Sequence, residues 1–391
     1  MASLLRAVAA LLLLGLAAPA SGTPSSELQL VESWPVGTAL DHPDIPDAAD
    51  VWLGMIAGAR RSLDLAEFYF SGEKGSRLEP VVAAIEAAAR RGVKVRVLGD
   101  AKFAGTYPEI LDRLAAAPNV QVRRYDFGKL GGGVLHAKYF VVDGTVAFLG
   151  SQNFDWRSLT HIQELGVRSD LPAVVRGLAD VFETDWALAG GADRATRVRT
   201  AAPVAAEVKL VASPKGWLPD ESAWDLPRIV ELIDGARKTV RVQLLSYQAG
   251  RRGEYWDELE DALRRAAARG VTVQLMISDW AKRPGSIEGL KSLGVLPHVT
   301  VKLVTIPAWS GGFVPFARVV HAKYLVVDGE RAWLGTSNWE KDYFYQSRNV
   351  GIIVGQKPFA DRLERFFLDL WQTELAVAID PAATYTPPRR E

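Results

Sequence analysis

Cysteine is missing altogether from the 391 residues. That excludes disulfides, thiolate metal ligands and a cysteine nucleophile. No Asn-x-Ser/Thr acceptor for N-glycosylation occurs either. Net charge is absent too, with 46 Lys+Arg against 46 Asp+Glu. A chain coated in non-specific nucleic-acid contacts would be basic, so that class is disfavoured, although overall balance leaves room for a local basic cleft. The body of the chain has no long apolar run and so no candidate membrane span. The opening differs. Arg6 precedes an apolar run from Ala7 to Ala18, then Ala18-Pro19-Ala20. This reads as a secretory signal over residues 1–22 and predicts an exported protein, secreted or periplasmic.

What is present is written twice. The first half contains AGARRSLDLAEFYF, VVAAIEAAARRGVKVRVLGD and HAKYFVVDGTVAFLGSQN in that order. The second contains DGARKTVRVQLLSYQ, LEDALRRAAARGVTVQLMISD and HAKYLVVDGERAWLGTSN. The offset between copies drifts from about 177 to about 185 residues, as loops of unequal length would cause. Copies of this size are domains, so the chain is a duplication and not a solenoid. Each copy reads as α/β. SLDLAEFY and TVRVQLLSY are short β-rich runs. Val81–Arg91 and Leu259–Arg269 are Ala-rich and helical, with Gly92 and Gly270 as stops. VKVRVLGD and VTVQLMISD follow as buried strands. The expected organisation is a leader (1–22), an N-terminal lobe (28–190), a C-terminal lobe (207–378) and a tail (379–391). The linker falls between about Ala187 and Val208, and the tail is loose or strapped along the surface.

Each copy carries H-A-K-Y-x-V-V-D-G. Residues i and i+2 of a strand share a face, so His136 and Lys138 point one way, as do His321 and Lys323. Asp143-Gly144 and Asp328-Gly329 fall where the strand must reverse, and the turn by itself accounts for both aspartates. The returning strands end in Gly150-Ser151-Gln152-Asn153 and Gly335-Thr336-Ser337-Asn338. Two such sets facing each other would build one phosphodiester site. One imidazole attacks phosphorus to form a covalent phospho-enzyme. The other protonates the leaving oxygen and then activates water. Two lysines balance charge on the non-bridging oxygens, and Ser151, Asn153, Thr336 and Asn338 are placed to donate to them. The lysines supply the positive charge, so neither a metal nor a cofactor is required. Glu164 and Asn349 hold matching positions downstream of His136 and His321. A carboxylate beside an imidazole raises its basicity. This favours Glu164 as the partner of His136, His136 as nucleophile and His321 as general acid/base.

The pattern H-x-K-x4-D, present twice and each time followed by Gly-Ser/Thr-x-Asn, resembles the phospholipase D superfamily. The longer stretch LGSQNFDWRSLTHIQELGV, with LGTSNW and Tyr343-Phe344, is similar to one branch of it. That branch holds the animal lysosomal phospholipase-D-like 5′ exonucleases and the poxvirus nicking-joining and envelope proteins. The resemblance covers nearly the whole chain after the leader. It implies two α/β lobes, each a mixed sheet flanked by helices, with a single active site at their seam and a phosphohistidine intermediate. It also implies His136, Lys138, His321 and Lys323 as catalytic residues and Asn153 and Asn338 as phosphate ligands. Asp143 and Asp328 complete the catalytic motif as its structural support, and Glu164 is the histidine partner.

The motif leaves the substrate open. Trp309, Phe313 and Phe316 occupy a Pro/Gly-rich loop just before the second motif. With Arg318, Arg123 and Arg124 they would suit single-stranded DNA or RNA ends, by stacking plus backbone cations. The same loop read as a lip touching a membrane transiently would suit phospholipid head groups, hydrolysed or transferred. A third reading keeps the fold as an inert binding or envelope protein. Trp156, Trp186, Trp333 and Trp339 read as core, and His42, His161 and His298 as surface or loop histidines. Gly131–Gly133 reads as a flexible loop beside the site more than as a phosphate cradle. The oligomeric state is not legible.

Overall fold

The computed structural model describes residues 28–193, 207–251 and 254–391. The expected leader and most of the expected linker lie outside these residues. Seven strands form the first sheet: β1 (Leu28–Ser33), β2 (Ser62–Glu67), β3 (Lys94–Asp100), β4 (Val120–Tyr125), β5 (Lys138–Val142), β6 (Val146–Gly150) and β7 (Glu164–Ser169). Their spatial order is β1-β7-β6-β5-β2-β3-β4. β2, β3 and β4 run parallel, and the other neighbours are antiparallel. The second sheet uses β8 (Val208–Ser213), β9 (Thr239–Leu244), β10 (Thr272–Ser278), β11 (Val299–Val304), β12 (Tyr324–Val327), β13 (Arg331–Gly335), β14 (Asn349–Val354) and β15 (Ala376–Ala378). Its order, β8-β14-β13-β12-β9-β10-β11-β15, repeats the first with one added edge strand.

The crossover helices follow from their apolar spacing. α1 (Leu78–Arg90) buries Leu78, Val81, Val82, Ile85, Ala88 and Ala89 on one stripe. It ends where Gly92 adopts φ +96°, a left-handed conformation that glycine alone takes at little cost. α2 (Pro172–Ala189) includes Ala187, so the first residues of the expected linker are its last turn. α3 (Glu258–Ala268) matches α1, and α4 (Lys357–Trp371) matches α2.

The inner faces of the two sheets share one core. Tyr139, Val141, Leu149 and Val167 meet Tyr324, Val326, Leu334 and Ile352, closed by Phe182 of α2 and Phe366 and Phe367 of α4. The outer faces pack separately against α1 and α3. Trp333 and Trp339 are fully buried and Trp186 nearly so, as expected of core residues; Trp156 is half-buried.

The two aspartates of the repeated motif keep the structural role expected of them, which corrects only their inclusion with the catalytic residues. Asp143 and Asp328 sit at the hairpin turns with φ +55° and +58°, at the end of their strand away from the lysine. Asp143 accepts from the N–H groups of Arg60, Arg61 and Ser62, and Asp328 from those of Arg237, Lys238 and Thr239. Burial pushes both carboxyls up, but these donors outweigh it and hold them below the usual carboxylate range. They pin the hairpin to the start of the neighbouring strand and have no place among reacting groups.

The lobes are also clamped by charge. Arg348, just before β14, is fully buried against Asp185 of α2 at 2.9 Å. Its other donors reach the carbonyls of Ser213 and Trp217 at 2.8 and 2.6 Å, and the Tyr125 hydroxyl completes Asp185. Removing one member of such a pair strands a charge in the core. Asp185→Ala should therefore destabilise the protein by about 3–5 kcal/mol, read as a lower urea midpoint at unchanged slope. A loss within experimental error would show that this clamp does not hold the lobes.

Candidate functional site

Two matched pairs of backbone bonds cross the seam at the histidines. The His136 N–H donates to the Arg348 carbonyl at 2.9 Å, and the Arg348 N–H to the Val134 carbonyl at 2.9 Å. The His321 N–H donates to the Gln163 carbonyl at 2.8 Å, and the Gln163 N–H to the Val319 carbonyl at 3.0 Å. Each histidine strand is thus bridged to the other lobe's chain just ahead of Asn349 or Glu164. A buried amide contact, Gln243 Nε2 to Gln163 Oε1 at 2.7 Å, reinforces one crossing.

The consequence is crossed partnership. His136 Nδ1 lies 2.9 Å from Asn349 Oδ1, and His321 Nδ1 lies 2.7 Å from Glu164 Oε2. The expected Glu164–His136 pair is therefore corrected. Within the first sheet β6 stands between β5 and β7. That sets Glu164 roughly 10 Å from its own lobe's histidine strand, while the opposite lobe's histidine is bridged to its neighbour. The Asn349 amide is oriented by its other bonds. Its Nδ2 donates to the carbonyls of Tyr343 and Ser347, and its Oδ1 also accepts from Thr336. The Nδ1 of His136 must then carry the hydrogen. Glu164 fixes the same tautomer on His321, and both rings keep Nε2 for chemistry.

Burial governs the electrostatics. His136 and His321 are 5% and 7% exposed, and both lysines are buried. Each lysine Nζ donates to the main-chain carbonyl of its own histidine, holding the ammonium beside the imidazole. Burial, then Lys138 and Lys323, lowers His136 well below the usual imidazole range. Burial lowers His321 to about 4 against the opposing pull of Glu164. Lys323 is lowered by burial to about 7, and Lys138 is lowered by burial and then by Lys323. Glu164 pulls both lysines back toward ammonium, and Glu67 adds to this on Lys138, so an arriving anion that completes the shift finds a good receptor.

The remaining predicted residues divide. Asn153 and Asn338 are buried at the seam, and each leaves one side-chain atom, Oδ1 and Nδ2 respectively, without a hydrogen-bonded partner. Ser151 and Thr336 are corrected. The Ser151 hydroxyl is spent on the Leu165 backbone and the Thr336 hydroxyl on Asn349 and Val350, so they brace the site rather than reach a substrate. Trp309 is half-buried, its ring 4.8 Å from that of His161. Phe313 is exposed but covered by Arg389 at 4.1 Å, and Phe316 donates its N–H to the Arg390 carbonyl. The tail is therefore an extended strap over the aromatic loop. His161 is buried, against the surface reading. Arg123 stacks on Trp186, Arg124 pairs with Asp112, and Arg318 bonds the carbonyls of Pro307 and Val36, so these expected backbone cations are engaged elsewhere. Gly133 abuts Ser347 and the Gln346 backbone with no room for a Cβ, so it permits close lobe packing.

Sequence reasoning missed an aromatic run on the His136 side. Phe68 lies 4.9 Å from the His136 ring and 4.2 Å from Phe103, and Tyr69 contacts Phe103 and Tyr107. Tyr343 meets His136 edge-on at 4.8 Å. The FYF triplet at the end of β2 was the available signal.

Two sheets in one strand order, each with an H-x-K segment leading into a central strand at a shared seam, define a duplicated phospholipase D-type fold. The family described as "Cardiolipin synthase, PLD-like domain" matches residues 53–186 and again 229–371, and the chain belongs to it. The 5′-3′ exonuclease PLD3 of Bos taurus is 34% identical over 415 residues, spanning 93% of this chain and 83% of that protein. Phospholipase D Z of Dictyostelium discoideum is 30% identical over 392 residues, spanning 92% and 91%. The phosphatidylserine synthase of Haemophilus influenzae shares the fold, with a TM-score of 0.62 at 12% identity over 85% of each chain.

The crossed pairing predicts a selective response. Glu164→Gln should move the titration of His321 further down and leave that of His136 nearly unchanged, followed by ¹⁵N NMR of the two rings. A shift confined to His136 would refute the crossing.

Proposed function

We propose that the protein is a metal-independent phosphodiesterase acting through a phosphohistidine, and that its substrate is single-stranded DNA or RNA attacked from an end. The observation that carries the chemistry is the pair of Nε2 edges, presented by opposite lobes beside two buried lysines. His136, backed by a neutral amide, stays unprotonated and attacks phosphorus through Nε2. His321, backed by a carboxylate, holds the extra proton and delivers it to the leaving oxygen. The bond from phosphorus to the leaving oxygen breaks as the bond to Nε2 forms. His321, now neutral, takes a proton from water, and that water displaces His136 from phosphorus. Lys138 and Lys323 donate to the non-bridging oxygens throughout, with the amides of Asn153 and Asn338 beside them. The assignment of roles is the one expected from sequence, but for the opposite reason: the carboxylate marks the acid, not the nucleophile.

For substrate, the exonuclease relative and the Phe68–Phe103 run support nucleic acid, since bases stack on aromatic rings. The leader-like opening supports export. Among the described residues no helix is long and apolar enough to cross a membrane.

In EDTA, the purified protein should shorten a fluorescent single-stranded oligonucleotide and release no choline from phosphatidylcholine vesicles. Choline release without shortening would assign the site to lipid, and neither reaction across about pH 4–8 would favour the inert reading. Separately, His136→Asn should abolish the acid-labile phospho-enzyme, and His321→Asn should lower turnover by about 10²–10⁴-fold. Phosphate trapped in the first variant and absent from the second would reverse the two roles.

A further inference from the structure

Besides Glu164 against Asn349, the two halves differ at the seam in a second buried charge. Glu67 ends β2 directly opposite Lys138 in antiparallel register, so their side chains share a face of the sheet. It is 0% exposed, and neither carboxyl oxygen has a hydrogen-bonded partner. One step beyond the Gln243–Tyr324 pair, the matching position opposite Lys323 is Leu244, also buried. One lysine therefore has a carboxyl behind it, and the other has a hydrocarbon wall. A buried carboxyl without hydrogen bonds is costly, and neither the fold nor the mechanism above uses it.

We propose that Glu67 cancels the charge of Lys138, leaving Lys323 as the single uncompensated cation, so that the site matches a phosphodiester monoanion and rejects the phosphomonoester dianion. This rests on the phosphodiesterase reading. The cancellation does not depend on where the shared proton sits. Carboxylate with ammonium sums to zero, and so does neutral acid with neutral amine. Burial pushes Glu67 well up and Lys138 acts against it, so the two forms compete for one proton. With an anion bound in the seam, Glu164 and the then protonated His321 also sum to zero. With the bound anion also holding Lys323 as ammonium, the net charge facing the substrate is one positive unit, equal and opposite to one diester. Hydrolysis converts that diester into a monoester, which carries close to two negative charges once its second proton, with a pKa of about 6, is lost. The product is thereby over-charged for its own site and leaves. Glu67 touches no reacting atom in this scheme; it sets specificity through Lys138.

The test compares the full chain, Glu67→Gln and Glu67→Leu, with inorganic phosphate as probe. Phosphate binding is measured by calorimetry and by inhibition of diester cleavage, at about pH 5 and about pH 7.5, either side of the second phosphate ionisation. At the higher pH both variants should bind phosphate on the order of tenfold more tightly than wild type, with a smaller gain at the lower pH. Turnover should fall while the first-turnover burst persists, because release has slowed. Equal or weaker phosphate binding at the higher pH would overturn the proposal. Should both variants fail to fold, Leu244→Glu supplies the converse, with weaker phosphate binding expected and unchanged binding refuting it. A wild type that binds phosphate yet cleaves no diester would sink the phosphodiesterase reading and leave the charge comparison standing. A wild type that binds no phosphate would sink both.

Discussion

Everything at the seam depends on four backbone hydrogen bonds that tie each histidine strand to the opposite lobe. They are main-chain bonds, so they fix position without regard to side-chain identity, and their number is small enough to count. By pairing Leu135 with Arg348 and Gln163 with Val320, they place each lobe's downstream polar residue beside the other lobe's imidazole. Neither lobe can then assemble a backed histidine alone. The shared apolar core and the Asp185–Arg348 clamp hold the geometry these bonds require. Arg348 belongs to both systems, since its main chain bridges to His136 while its guanidinium enters the core.

Charge is then distributed by small departures from symmetry. Strict duplication would give two identical imidazoles, and two identical imidazoles would compete for one proton without preference. Glu164 against Asn349 breaks that tie. The carboxylate stabilises imidazolium on His321, and the amide leaves His136 neutral. Burial pushes both rings toward the neutral form, so only an added anion in the seam restores the proton to the ring with the carboxylate. In the proposed mechanism the arrival of a phosphodiester and the arming of the acid are one event. Glu67 against Leu244 is a second departure of the same kind, acting on the lysines.

The duplication and the α/β character of each half were legible because the repeat and the apolar periodicity are local features of the chain. Val81–Arg91 was nearly the observed α1 for the same reason, missing only the turn from Leu78. What failed was everything that crosses the seam. The position of Glu164 names the start of a strand, but a strand start has neighbours in both lobes, and only the folded seam decides between them. Asn349 was visible as the position aligned with Glu164, yet an amide carries no charge to advertise a role. Arg123, Arg124 and Arg318 looked available because sequence does not display the carbonyls, rings and carboxylates that occupy them. The loop holding Trp309 and Phe313 stood out for composition, whereas Phe68 and Phe103 hid in separate segments that meet only in space.

The crossed arrangement also limits how such a protein can vary. A change at Glu164 acts on His321, whose strand belongs to the second half, and a change at Asn349 acts on His136 in the first. A substitution in one copy is therefore felt as chemistry in the other, and the two halves cannot drift independently. Restoring full symmetry would cost function in either direction. Two carboxylates would let both rings hold protons and leave no free nucleophile, while two amides would leave no favoured acid. In the proposed mechanism nucleophile and acid become distinct through unlike partners contributed across the seam, and a site with two nearly equal histidines can run one reaction in a defined order.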